Sequence, residues 1–206
     1  MIYKYIIEKL NMKIHVKQVV ALMVVMALIV LVGCENNDSE TLFGYSKIYI
    51  PQSTVSGGQN LHYLVPTGAN KDTYNYKVDT LGNKVNVYLG VTRSGLETAD
   101  AYSVNIETRT DTINTLISNG LINLTPSTIP VVLLPEAAYT LPAKVSVPAG
   151  QYATSFYLTI QLDVLKTYAG KKVALCVTIK NPTKYILSTT NDRVIILINV
   201  DALKLP

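Results

Sequence analysis

The feature that most constrains this chain is a hydrophobic alternation of period two that returns repeatedly from Val85 onward. Val85, Val87, Leu89 and Val91 alternate with Asn86, Tyr88, Gly90 and Thr92, which describes a strand buried on one face and ended by Arg93-Ser94-Gly95. Tyr102, Val104 and Ile106 against Ser103, Asn105 and Glu107 give a second strand, and Phe156, Leu158, Ile160 and Leu162 against Tyr157, Thr159, Gln161 and Asp163 a third. Val173, Leu175, Val177 and Ile179 against Lys172, Ala174, Cys176, Thr178 and Lys180 give a fourth. Val194 to Val200 is apolar on both faces apart from Asn199, the pattern of a strand central in its sheet. Shorter candidates are 47–50, 61–65, 74–78, 131–134 and 144–147. The helical signal is thin: Asp111 can cap a short helix through Ser118 that Asn119-Gly120 closes, and Asp163 to Tyr168 can make one turn before Gly170. Short strands parted by turns such as Pro148-Ala149-Gly150 are the pattern of a sandwich or barrel.

At 206 residues, 49% of them apolar and 16% charged, the chain has room for one domain that buries its own core without disulfides or metals. There is no internal repeat and no linker-like stretch, so residues 46–206 read as a single β-sandwich domain. Of the 18 basic and 14 acidic side chains, four Lys and one Glu fall in residues 1–33, which leaves 14 and 13 beyond them. The folded part is close to neutral, and this excludes a general basic footprint for nucleic acid.

The first 34 residues carry an address. Lys13 and Lys17 precede an apolar run from Val19 to Val32 that ends in Leu31-Val32-Gly33-Cys34. A basic segment followed by an apolar run of that length is a secretory signal, too short for a membrane span of about 20 residues. Its end resembles a lipobox, in which small Gly33 admits the peptidase and Cys34 supplies the thiol that is acylated. Residues 1–33 are therefore expected to be a lipoprotein signal peptide and 34–45 a lipidated cysteine with its tether; Met12 begins a signal of more usual length than Met1. The acidic segment 35–40 resembles the export signals that send Bacteroidetes lipoproteins to the outer face of the outer membrane, so the expected location is lipid-anchored and surface-exposed. With Cys34 lipidated, Cys176 has no disulfide partner.

Several stretches together resemble a known family. They are Lys47-Ile48-Tyr49-Ile50-Pro51-Gln52, Gly90-Val91-Thr92-Arg93-Ser94-Gly95, the run from Tyr139-Thr140-Leu141-Pro142 to Pro148-Ala149-Gly150, and Tyr168-Ala169-Gly170-Lys171-Lys172 leading to Asn181-Pro182-Thr183-Lys184-Tyr185. In order along the mature chain they resemble an immunoglobulin-like Bacteroidetes domain of unknown function, found at the N-terminus of surface lipoproteins of glycan utilisation. The resemblance implies an all-β, immunoglobulin-like sandwich of about 7–9 strands with one or two short helical turns. It also implies a surface role linked to complex glycans.

The residues offer little for catalysis. His62 is the one histidine beyond the leader and reads as an outward-facing strand residue; Arg93-Ser94-Gly95 is no nucleophile elbow. Glycoside hydrolysis needs two carboxylates about 5–10 Å apart across a bond. The nearest pairs, Glu97 with Asp100 and Glu107 with Asp111, fall at turns and strand ends where solvated acids are expected. One His and one unlipidated Cys cannot build a structural zinc site. The acids are scattered singly beyond Asp111, which argues against calcium despite a strand and turn at 145–151 that resembles calcium-binding sandwiches. No enzyme activity, cofactor or metal is expected.

Glycan contact remains. Sugars present flat C–H faces, which exposed aromatic rings flanked by amides can stack and bond. Tyr88 alternates with Asn86 on the face opposite the valines, and Tyr157 lies beside Thr159 and Gln161 on an equivalent face, so Tyr88, Asn86, Tyr157 and Gln161 are the candidate ligand-binding residues. The plain structural alternative is that tyrosine is simply a good strand former that packs flat on its neighbours. Asp79-Thr80-Leu81 and Asp111-Thr112-Ile113 fit an Asp-Thr-apolar O-glycosylation pattern, marking Thr80 and Thr112. The expected partners are the membrane, through the lipid, and polysaccharide or other surface glycan-uptake proteins. A surface-anchored, non-catalytic accessory or adhesive module is the leading reading; the alternative is a subunit or anchor of a fimbria-like fibre assembled by strand addition.

Overall fold

A computed structural model describes residues 45–55, 58–59, 61–95, 99–123 and 127–206. The signal peptide and Cys34 with most of its tether lie outside these residues. The described residues belong to one compact unit, Phe43–Pro206.

They form two six-stranded sheets and a small hairpin. In chain order the strands are β1 (Lys47–Tyr49), β2 (Thr54–Val55), β3 (Gly58–Gln59), β4 (His62–Val65), β5 (Tyr76–Asp79), β6 (Lys84–Arg93) and β7 (Tyr102–Thr108). After these come β8 (Val131–Leu133), β9 (Tyr139–Thr140), β10 (Lys144–Val147), β11 (Ala153–Gln161), β12 (Lys172–Lys180), β13 (Ile186–Leu187) and β14 (Arg193–Asn199). Sheet one runs β13-β1-β6-β11-β9 with β5 also on β6; sheet two runs β10-β7-β12-β14-β4 with β8 also on β12. Eight of the described strands have four or more residues, and the others are short pieces of two or three. One edge of β6 is shared in series, by β5 along Lys84 to Val87 and by β1 at Thr92 and Arg93.

The fold is an all-β sandwich because the inward phase of each long strand meets that of the facing sheet. Val85, Val87, Leu89, Val91, Phe156, Leu158 and Ile160 from sheet one share one buried cluster with Val104, Val145, Val173, Leu175, Val177, Ile196 and Ile198 from sheet two. The expected alternation thus holds on β11 and, except at Gly90 and Ser103, which are buried as well, on β6 and β7. The first and last of the described strands lie inside their sheets, β1 between β13 and β6 and β14 between β12 and β4.

Two local expectations need correction. On β12 the phase Ala174, Cys176 and Thr178, read as the open face, is buried. Ala174 and Cys176 join Ile195 and Leu197 of β14 in a second cluster that Ile113 enters from the helix Thr110–Ser118, so the helix covers the outer face of sheet two. Asp111 does not cap that helix: Arg109 occupies the cap without a side-chain bond, and Asp111 sits in the first turn, 3.6 Å from the Arg109 guanidinium. An acid there complements the helix dipole without being the cap. The helix ends as expected. Gly120 adopts φ +68°, its N–H donates to the Ile117 carbonyl and that of Leu121 to the Leu116 carbonyl, a Schellman closure. The second helix, Leu162–Lys166, follows β11 directly and buries Leu162 and Leu165.

Candidate functional site

The site is built by the longest strand pair among the described residues. β6 and β11 run antiparallel in a register that places Leu158 opposite Val87 and Phe156 opposite Leu89, inward, and therefore Tyr157 opposite Tyr88 and Thr159 opposite Asn86, outward. The two tyrosines expected as separate platforms are one. Their ring centroids are 5.3 Å apart with planes tilted by 60°, and Tyr157 keeps 48% of its surface exposed. Directly beside them the Thr159 hydroxyl donates to Asn86 Oδ1 at 2.7 Å, which fixes the amide and leaves its NH₂ turned to other partners. On the other side of the ring pair stand Gly90 and the exposed Ser155, opposite one another.

Gly90 lies under a close approach of the chain. Its N–H donates to Gln52 Oε1 at 3.1 Å, and a Cβ would come within 3.3 Å of Pro51 Cγ and 3.4 Å of the Thr154 carbonyl oxygen. The turn Pro51–Ser53 thus lies close over β6 where β5 and β1 leave its edge uncovered. Gln161, the fourth candidate, is also outward but opposite Lys84, four residues from Tyr157 and roughly 13 Å along the strand, so it does not join the tyrosine pair. Thr140 of β9, which the sequence did not single out, stands opposite Thr159 and extends the row Asn86-Thr159 by one strand. Alternation marks Thr159 as Tyr157's neighbour, but nothing local marks Thr140.

The remaining candidates are scattered. His62 lies on the outer face of sheet two, opposite Ile195, and burial holds its imidazole below the usual range although the Ile122 backbone counteracts this. Glu107 pairs with Lys180 at 2.5 Å, Asp100 with Lys184, and Asp111 with Arg109. Each of these acids faces a cation and not another acid across a cleft; Glu97 lies outside the described residues. Among the described residues no three His, Cys, Asp or Glu side chains gather to hold a metal. Thr80 is exposed in the turn between β5 and β6, and Thr112 is half-buried in the first turn of its helix.

What fold and surface define is a two-sheet sandwich whose outer face carries an aromatic and amide strip. A family model described as an N-terminal domain matches residues 45–186, and the chain belongs to that family. Among solved structures, a candidate carbohydrate-binding protein of Bacteroides ovatus is 13% identical, with a TM-score of 0.46, over 74% of this chain and 36% of its own. A multidomain B. ovatus protein that includes a domain of unknown function is 18% identical, TM-score 0.44, over 75% and 43%. An auxiliary nutrient binding protein of Bacteroides thetaiotaomicron is 18% identical, TM-score 0.42, over 66% and 42%. The chain therefore spans less than half the length of each of these structures. No curated protein matches it.

Proposed function

We propose that this chain is a non-catalytic glycan-binding module, held at the outer face of the outer membrane by lipid on Cys34 and serving complex-glycan utilisation. The observation that carries the reading is the Tyr88–Tyr157 pair, two touching rings on an outer sheet face with the Asn86–Thr159 hydrogen bond at their side. Stacking takes the apolar face of a pyranose, and the amide and hydroxyls take its rim. A contact of this size contributes on the order of 1 kcal/mol per ring, so affinity for a short sugar sits near the millimolar end. Two Bacteroides proteins similar to this chain, a candidate carbohydrate binder and an auxiliary nutrient binder, are of the same kind. The fibre reading asks for an incomplete sheet edge or a displaced terminal strand; β14, between β12 and β4, is not displaced.

A glycan array followed by calorimetry with Tyr88→Ala and Tyr157→Ala tests the site. Binding that both changes leave intact overturns the site assignment, and cleavage of a polysaccharide by the purified protein overturns the reading itself. The anchor is tested separately: Cys34→Ala should abolish incorporation of a fatty-acid analogue, and unchanged labelling would refute it.

A further inference from the structure

The outer row of polar residues does not stop at the tyrosine platform. Asn86, Thr159 and Thr140 stand side by side on β6, β11 and β9, each opposite the next. Thr140 is the last of them and also lines an open groove of about 560 Å3. The groove is walled by Ile106, Glu107 and Thr108 of sheet two and by Glu136, Leu141 and Pro142 around β9, so it descends where the edges of the two sheets meet.

We propose that platform and groove form one binding track, running across the strands from Tyr88–Tyr157 over Thr140 to Glu136, whose ligand is an uncharged oligosaccharide of three or more sugar units. This rests on the glycan reading of the tyrosine pair and adds its direction, length and charge class. Strands lie about 4.8 Å apart, close to the advance of one pyranose along an extended chain, so a glycan laid across β6, β11 and β9 meets one strand per sugar. The track leads toward β9 because the other flank is occupied. There the Asn75 side chain on the β5 side is spent on the Leu64 carbonyl and the Thr67 N–H, and Lys77 stands opposite Asn86. The groove supplies what a sugar edge needs, with Leu141 and Pro142 for C–H surface and Thr108, Thr140 and Glu136 for hydroxyls. Its charge selects among glycans. Glu107 is matched by Lys180, but Glu136, three strands from Lys77, adds an exposed negative charge that disfavours uronate or sulfate groups at the groove end.

The test is calorimetry with cello-, xylo- and manno-oligosaccharides of two to six units and with polygalacturonate. For the series that binds, affinity should rise with length up to three or four units and then level. Glu136→Ala should remove the gain of the longer sugars, about fivefold or more, while leaving disaccharide binding unchanged. Glu136→Lys, a second exposed substitution, should in addition let polygalacturonate bind. If affinity does not depend on length, or if both Glu136 variants bind the hexamer as the natural chain does, the track is refuted while the tyrosine site stands. If no sugar of any length is bound, the glycan reading falls and the track with it.

Discussion

Tyr88 and Tyr157 face each other across β6 and β11, their ring centroids 5.3 Å apart, on the only outward rung of that strand pair that is aromatic on both sides. Because the rings touch, each sets the other's orientation, and they act as one surface. Tyr88→Ala and Tyr157→Ala should therefore be non-additive for sugar binding: either change alone should cost nearly as much as both. A coupling of about 0.5–1.5 kcal/mol in a double-mutant cycle is expected. Strict additivity in calorimetry would mean that the two rings contact ligand independently.

Immediately along β11, neighbours separate core from face. Leu158 is fully buried between the sheets, and Thr159 is half-buried with its hydroxyl on Asn86. Leu158→Ala should cost about 2–5 kcal/mol, since it leaves a cavity in a close-packed layer, while Thr159→Ala should cost under about 1. Urea melts of the two variants check this, and equal losses would contradict the register.

That register shows what a sequence can and cannot carry. The alternation on β6 and β11 told inward from outward residue by residue, and the unbroken run Val194–Ile198 told that β14 is covered on both faces. It could not tell that Tyr88 meets Tyr157, because register belongs to the pair and not to either strand. Nor could it tell that Ala174 and Cys176 lie under a helix. Lysines at both ends of β12 and its small outward residues imitate a solvent face. Thr140 and Glu136 escaped for a related reason: β9 has two residues, too few for any period, and its place is set by β11.

The helix over β12 depends on its closure. Gly120 holds φ +68° with nothing within 4 Å of where a Cβ would stand, so Gly120→Ala meets no clash and pays only in backbone conformation. A loss of about 1 kcal/mol is expected. Thermal melts should show it, together with faster amide exchange in residues 116–121 than in β6. No change in either would mean that the helix end is not held by this turn.

Arg93 ends β6 almost fully buried, its guanidinium 4.8 Å from the Tyr152 ring centroid and 4.5 Å from that of Tyr185, with Nη1 donating to Ser46 Oγ at 2.7 Å. It ties the start of the described chain to two later segments. Arg93→Lys keeps the charge but loses the planar stack and the fork of donors, so it should still destabilise by about 1–3 kcal/mol. Arg93→Lys melting like the natural protein would refute a role for the planar group.

Two buried groups, Cys176 and Tyr102, contribute to the alkaline limit of the fold. Burial pushes the Cys176 thiol from 9.0 up to about 11, and it pushes the Tyr102 hydroxyl, which donates to the Tyr152 carbonyl at 3.0 Å, from 10.0 up to about 12. In both the folded state holds its proton more tightly than the unfolded chain. Their contribution is therefore complete below about pH 9 and is lost as pH rises through 11 and 12. Stability in urea should hold steady near neutrality and fall from pH 9 upward. Cys176→Ala should flatten the first part of that fall and Tyr102→Phe the later part, each at some loss of stability at pH 7. The same burial should keep the folded thiol unreactive toward a disulfide reagent at pH 8 while denatured protein reacts at once, and rapid labelling of the folded chain would place Cys176 outside the layer between helix and sheet.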